Sequence, residues 1–194
     1  MSIDLPAFTD PVLDAQATFR AVLTAMSRPG TLHAAGASLT PPTPLDRATA
    51  AVLLTLVDAE TVLFLGDGFS PAEDWIRFHC GALITGDAAG AGFLLTDTLP
   101  DLADLNQGSD EGPDQSATVI LQVRGFDAGQ RLILAGPGLR TTEPLTVDGL
   151  PDHFVDAWTN NHAMFPRGID LILCAGTTLT ALPRSVRIIA PGVS

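Results

Sequence analysis

Lysine is absent from this 194-residue chain, tyrosine is absent too, and all ten basic residues are arginine. Without a lysine amine there is no Schiff base to a carbonyl, and no phosphate loop of the kind whose lysine reaches the terminal phosphates. Cysteine is scarce: Cys80 and Cys174 each lie inside an apolar stretch. They read as buried free thiols of a reducing compartment, which points to a cytoplasmic protein. Long hydrophobic runs are missing as well. The longest, such as residues 48–57, fall well short of the ~20 residues that span a bilayer. The first ten residues carry neither a basic region nor a long apolar run, so neither a secretion signal nor a membrane partner is expected.

The four histidines, His33, His79, His153 and His162, form neither a helical i, i+4 pair with an intervening glutamate nor a set with paired cysteines. No metal site is expected. The Gly-x-Ser-x-Gly elbow of serine hydrolases is missing. The glycine pairs Gly66/Gly68, Gly90/Gly92 and Gly136/Gly138 do not extend to a dinucleotide fingerprint and read as turns. His79 and Cys80 are adjacent, but consecutive helical positions do not face each other as a nucleophile dyad would require.

What is present is acid and apolar bulk. Twenty-two acids against ten bases give a net charge of -12, a surface that repels nucleic acid and anionic headgroups. With 46% hydrophobic and 16% charged residues, the chain suits one folded domain over residues 1–194 that buries roughly 70% of its unfolded surface.

Asp10-Pro11 marks a helix start, and Val12, Ala15, Phe19, Val22, Leu23 and Met26 recur at helical spacing before Pro29-Gly30 stops it. A second helix over residues 46–57 is apolar all round and is expected to be buried on most sides. Ser70-Pro71-Ala72-Glu73 reads as a capping box opening a third helix that carries Trp75, Arg77, Phe78 and His79 and closes at Gly81. Short strands are expected at residues 61–65, 82–85, 92–96, 169–174, 179–182 and 186–189. Residues 119–123 and 132–135 read as a hairpin, residues 151–160 as a short helix, and 98–116 as a mobile surface segment. The resulting fold class is α/β, a mixed sheet flanked by helices.

Guanidinium groups hold phosphate or phosphonate oxygens in a bidentate fork. Arg77, His79 two positions on, and Arg184 in the Leu182-Pro183-Arg184 turn are therefore the candidate anion-binding residues, set against the ordinary reading that each pairs with a nearby acid. Asp170, entering an apolar run, is expected to be a partly buried carboxylate that needs an arginine donor.

Several segments together resemble one family, the PhnH subunit of the bacterial carbon-phosphorus lyase core complex. They are Asp14-Ala15-Gln16 with Phe19-Arg20, the Ala25-Met26-Ser27-Arg28-Pro29-Gly30 stretch, Arg77-Phe78-His79, and residues 119–123. Gly136-Pro137-Gly138, Phe165-Pro166-Arg167-Gly168-Ile169-Asp170-Leu171 and Leu182-Pro183-Arg184 follow in order. The resemblance implies a fold similar to the large domain of pyridoxal-phosphate-dependent transferases without the cofactor site, and no cofactor. It implies an accessory subunit that acts with other carbon-phosphorus lyase subunits as they convert alkylphosphonate and ATP to ribose 1-alkylphosphonate 5-triphosphate and adenine. It also implies a homodimer in isolation, and assigns no catalytic residue. The chain lacks ligands for an iron-sulfur cluster, so the radical cleavage of the carbon-phosphorus bond is not its own. Two alternatives stand beside this reading: a stand-alone phosphonate- or nucleotide-binding enzyme or sensor, and a fold that holds pyridoxal phosphate non-covalently.

Overall fold

The structure is a computed structural model and describes residues 5–189. Helix α1 (Pro11–Ser27) begins where expected: Asp10 is the N-cap, and its side chain accepts from the backbone N–H groups of Val12 and Leu13. Helix α2 (Arg47–Leu56) and helix α3 (Glu73–Cys80) follow, the latter closed by Gly81 at φ 70°. That left-handed conformation is what favours glycine at the C-cap. The capping box does not form. Ser70 donates to the carbonyl of Asp67, Pro71 sits inside a 3-10 turn over Asp67–Ala72, and Ala72 precedes α3 without a side-chain cap.

Seven strands build the central sheet: β1 (His33–Ala34), β2 (Val62–Leu65), β3 (Leu83–Thr85), β4 (Phe93–Thr96), β5 (Thr118–Gln122), β8 (Asp170–Ala175) and β9 (Thr178–Leu182). Their spatial order is β1-β9-β8-β5-β4-β2-β3. From β3 through β8 the neighbours run parallel, while β9 and β1 turn the far edge antiparallel. The sheet is mixed, as the sequence led us to expect. A second, three-stranded antiparallel sheet of β10 (Arg187–Ile189), β6 (Gly125–Ala135) and β7 (Glu143–Asp148) completes the strands, in that order.

The expected hairpin between residues 119–123 and 132–135 is overturned. Strand β5 pairs with β4 and β8 in the central sheet, whereas β6 pairs with β7 and β10 in the small one. The chain changes sheets at Val123–Arg124, and the glycine-containing residues 125–130 that read as a turn belong to β6, where the register against β7 slips between Gly125 and Gln130.

Alternation along the strands separates two cores. Ile120, Ile172 and Cys174 point to the face covered by α1, α2 and α3. Val119, Leu121, Leu171 and Leu173 point to the opposite face, where the small sheet and helix α4 (Phe154–Ala163) cover them. A period of two along strands buried on both faces requires this division. Residues 98–116 are pinned into the second core by Leu99, Leu102 and Leu105, and Asn106 bonds to the carbonyl of Gln115. They are anchored surface turns, which corrects the expectation of a mobile segment.

Helix α1 departs from its expected packing. Thr18, Val22 and Ala25 face inward, while Val12, Leu13, Phe19 and Leu23 are exposed. No described helix is long and apolar enough to cross a membrane.

Candidate functional site

Asp170 opens β8 and Leu182 closes β9, and the antiparallel register places Leu171 opposite Leu182. The chain leaving β9 therefore passes directly over Asp170. Arg184 meets it there: the backbone N–H donates to Oδ1 at 2.7 Å, Nε reaches both carboxylate oxygens at 3.2 Å, and one terminal nitrogen donates to Oδ2 at 2.5 Å. The other terminal nitrogen donates to the carbonyl of Pro113 at 2.6 Å. Both side chains are mostly buried, 14% and 19% exposed. A shallow cavity of about 300 Å³ beside the pair is lined by Asp114, Phe165 and Ser185 among others. An incoming dianion would meet a guanidinium already neutralised by Asp170, with a second carboxylate at the rim, so the geometry favours an internal clamp over an anion cradle.

Arg77 and His79 sit on α3. The Arg77 Nε donates to Glu73 one turn earlier at 2.9 Å, an exposed i, i+4 pair of small energetic weight. The Nε2 of His79 lies 3.1 Å from the carbonyl oxygen of Leu5, which also accepts from the indole N–H of Trp75 at 3.0 Å. A carbonyl only accepts, so Nε2 carries the proton and His79 fastens the segment before α1. The buried side of α3 joins the core beneath α1 and α2. Arg184 lies on the other face, where its carbonyl contacts Nδ1 of His162 on α4 at 2.9 Å. The structure thus joins Asp170 with Arg184 and does not bring Arg77, His79 and Arg184 to one pocket.

The thiols offer no nucleophile. Burial pushes both Cys80 and Cys174 up to about 12, away from the thiolate that reaction requires. Among the described residues no group of three or more histidine, cysteine, aspartate or glutamate side chains is placed to hold a metal.

The parallel strands supply one location that the motifs did not indicate. Their order, β3-β2-β4-β5-β8, reverses direction between β2 and β4, and open α/β sheets bind ligands outside the carboxyl ends of strands at such a switch. Here the Gly66-Asp67-Gly68 loop leaves β2 and Asp97 leaves β4. A Cβ on Gly68 would lie 2.8 Å from Asp97 Oδ2, so that carboxylate leans directly over the loop. The first turn of α3 carries Glu73 and Asp74, which oppose an anion at its N-terminus. Next to Asp97 a cavity of about 240 Å³ holds Arg124, but Arg124 donates through two nitrogens to Asp148 at 3.0 and 2.5 Å. Hydrogen bonding to that guanidinium lowers the Asp148 carboxyl below its usual range and raises Arg124 in return. Sequence reasoning missed this pair because its members are 24 residues apart and meet only through the register of β7 against Gly125.

Comparisons with known proteins match this sequence to a named group over almost its whole length. The family model described as bacterial phosphonate metabolism protein (PhnH) matches residues 6–189. A protein of Rhizobium meliloti (strain 1021), named alpha-D-ribose 1-methylphosphonate 5-triphosphate synthase subunit PhnH, is 38% identical over 187 residues, 94% of each chain. The putative C-P lyase subunit protein HtxG of Stutzerimonas stutzeri is 34% identical over 176 residues, 89% of this chain and 85% of the relative.

Proposed function

Because the chain belongs to the PhnH family of bacterial phosphonate metabolism proteins, we propose that it is an accessory, non-catalytic subunit of the carbon-phosphorus lyase system. It acts with partner subunits in converting alkylphosphonate and ATP to ribose 1-alkylphosphonate 5-triphosphate and adenine. The observation that carries this reading is the match over 94% of both chains to a relative named as a subunit of such a synthase. The geometry is consistent with it: Arg77, Arg124 and Arg184 are paired with carboxylates and both cysteine thiols are buried.

Three finer points belong to the same proposal. The parallel order of five strands supports kinship with the large domain of pyridoxal-phosphate-dependent transferases, and a chain without lysine would keep that architecture while forming no internal aldimine. One sheet shared by both cores supports a single domain. The isolated chain is a homodimer in the cytoplasm.

Co-expression with the remaining subunits tests the proposal. The expected outcome is co-purification at fixed stoichiometry. Recovery of this chain alone, under conditions where the other subunits assemble, would overturn it. So would tight calorimetric binding of methylphosphonate or ATP by the isolated chain, since that is the behaviour of a stand-alone enzyme or sensor.

A further inference from the structure

We propose that the cavity between α4 and the 3-10 turn at Leu102–Asp104 is an anchor pocket that receives an arginine side chain of a partner protein. That the partner is one of the other subunits rests on the reading above. The chemistry of the pocket rests on its own residues.

The cavity holds about 200 Å³, less than the ~300–1,000 Å³ of sites that enclose a substrate or cofactor. It suits one long side chain. Leu102 is buried in its wall, and Ala157 and Met164 line the α4 side. Behind them Asn161 is buried with both ends of its amide engaged by the backbone of Ile169, at 2.9 and 2.7 Å, which fixes the wall in place. The polar groups that remain are acceptors. Asp101 is exposed, accepts from the backbone N–H of Ala103 at 3.0 Å, and forms no ion pair with a described residue. Gln107 donates through its amide nitrogen to the carbonyl of Leu102, while its Oε1 is buried with no partner among the described residues. A buried acceptor left unpaired is costly, so this wall calls for a donor from outside.

Charge identifies the occupant. None of the ten arginines lines the cavity, and the chain carries a net charge of -12. Asp101 therefore has no cation beside it, and the pocket disfavours phosphate, phosphonate and nucleotide anions. A purely apolar anchor would leave Gln107 unpaired and bring no charge to Asp101. Arginine meets each requirement. Its stem packs on Leu102, Ala157 and Met164, and its guanidinium brings five N–H donors and a permanent charge at a lower hydration cost than an ammonium. Next to the pocket, Met164 and Phe165 are 36% and 58% exposed. Such apolar neighbours shut water away from a seated anchor, as the surroundings of interface hot spots do.

The test has two arms. In the first, the full chain is bound to the assembly of the remaining subunits, prepared without it, and affinity is read by biolayer interferometry. Asp101→Asn keeps the acceptor for Ala103 and removes the charge; it is expected to weaken binding about tenfold. Ala103→Phe, a substitution at an exposed position of the cavity wall, is expected to weaken it at least a hundredfold, and Glu60→Gln on a distant turn to leave it unchanged. Thermal melts matching wild type exclude misfolding as the cause. In the second arm, the isolated isotope-labelled chain is titrated with N-acetyl-arginine amide and with its neutral analogue N-acetyl-citrulline amide. A lone side chain binds with a Kd on the order of millimolar, so the series extends to about 50 mM. Shifts are expected at Ala103, Ala157, Met164 and the Asn160 side-chain amide with the arginine probe and not with citrulline. Equal responses to the two probes, or none, overturn the proposal. So does an assembly that binds Asp101→Asn and Ala103→Phe as tightly as wild type. Arginine-specific shifts in a chain that binds no other subunit would leave the arginine pocket standing and remove the subunit reading.

Discussion

Helices α1 and α2 pack against each other on one face of the central sheet, yet they solve opposite problems. In α2 six consecutive residues, Ala48 through Leu53, are fully buried, and three of them are alanine. Small side chains let that helix be enclosed by the sheet below and by its neighbours on both flanks. Helix α1 has four of its six large apolar residues, Val12, Leu13, Phe19 and Leu23, in solvent, with Thr18, Val22 and Ala25 turned inward. In the sequence α1 reads as an amphipathic helix with its apolar residues at helical spacing and α2 as one apolar all round. The comparison teaches that apolar periodicity reports a demand for burial, whereas side-chain size and position decide whether the same chain meets it.

Truncating a core residue of α2 should produce the largest effect and break the comparison most sharply if it fails. Leu53→Ala is expected to cost about 2–5 kcal/mol by urea denaturation, the range for removing a fully buried leucine. Leu23→Ala on α1, measured on the monomer at low concentration, is expected to stay within about 0.5 kcal/mol of wild type. Equal losses would show that α1 is not the exposed helix described here.

The entry to α2 supplies the next test. The amide of Gln122 on β5 accepts from the backbone N–H of Asp46 and the hydroxyl of Thr49, and donates to the carbonyl of Pro44. Gln122→Ala leaves these groups unpaired and should cost about 1–3 kcal/mol, while no comparable polar pin holds the outward face of α1.

Alkaline pH sharpens the same contrast through the thiols under α2 and on α3. Both folded-state values lie at about 12 against an ordinary value of 9.0. Above pH 9 the unfolded chain loses these protons first, so stability falls as pH rises and levels off beyond 12. Denaturation midpoints compared at pH 8 and 10.5 should show this loss, and a Cys80→Ala, Cys174→Ala variant should show a flatter profile. A smaller loss is expected at the solvent end of α1: Asp10→Ala removes an N-cap and should lower stability by about 1 kcal/mol in a thermal melt.

Local chemistry was legible in the sequence wherever it acts locally. Asp10-Pro11 and Pro29-Gly30 bracket α1, Gly81 closes α3, and the apolar runs became strands of the mixed sheet. Non-local pairing was not legible. Nothing near residues 119–135 distinguishes a hairpin from a chain leaving one sheet for another, because β5 finds its partner β8 some fifty residues later. Strand β7, which contains Pro144 beside Glu143, carried too little β-signal to be noticed. The arginines were hidden for a related reason. A guanidinium offers the same fork to a ligand and to a carboxylate, and only the register of β8 on β9 shows that Asp170 occupies the fork of Arg184.

The two cores share strands, and that sharing governs how such a chain can change length over time. Along β8 the odd-numbered Leu171 and Leu173 belong to one core and the even-numbered Ile172 and Cys174 to the other. Deleting one residue from β8 would exchange the two sets, driving leucines into space shaped for a thiol. Added or lost residues are therefore tolerated in connectors such as the turn at residues 86–91, and the central strands keep a fixed length while their surroundings drift.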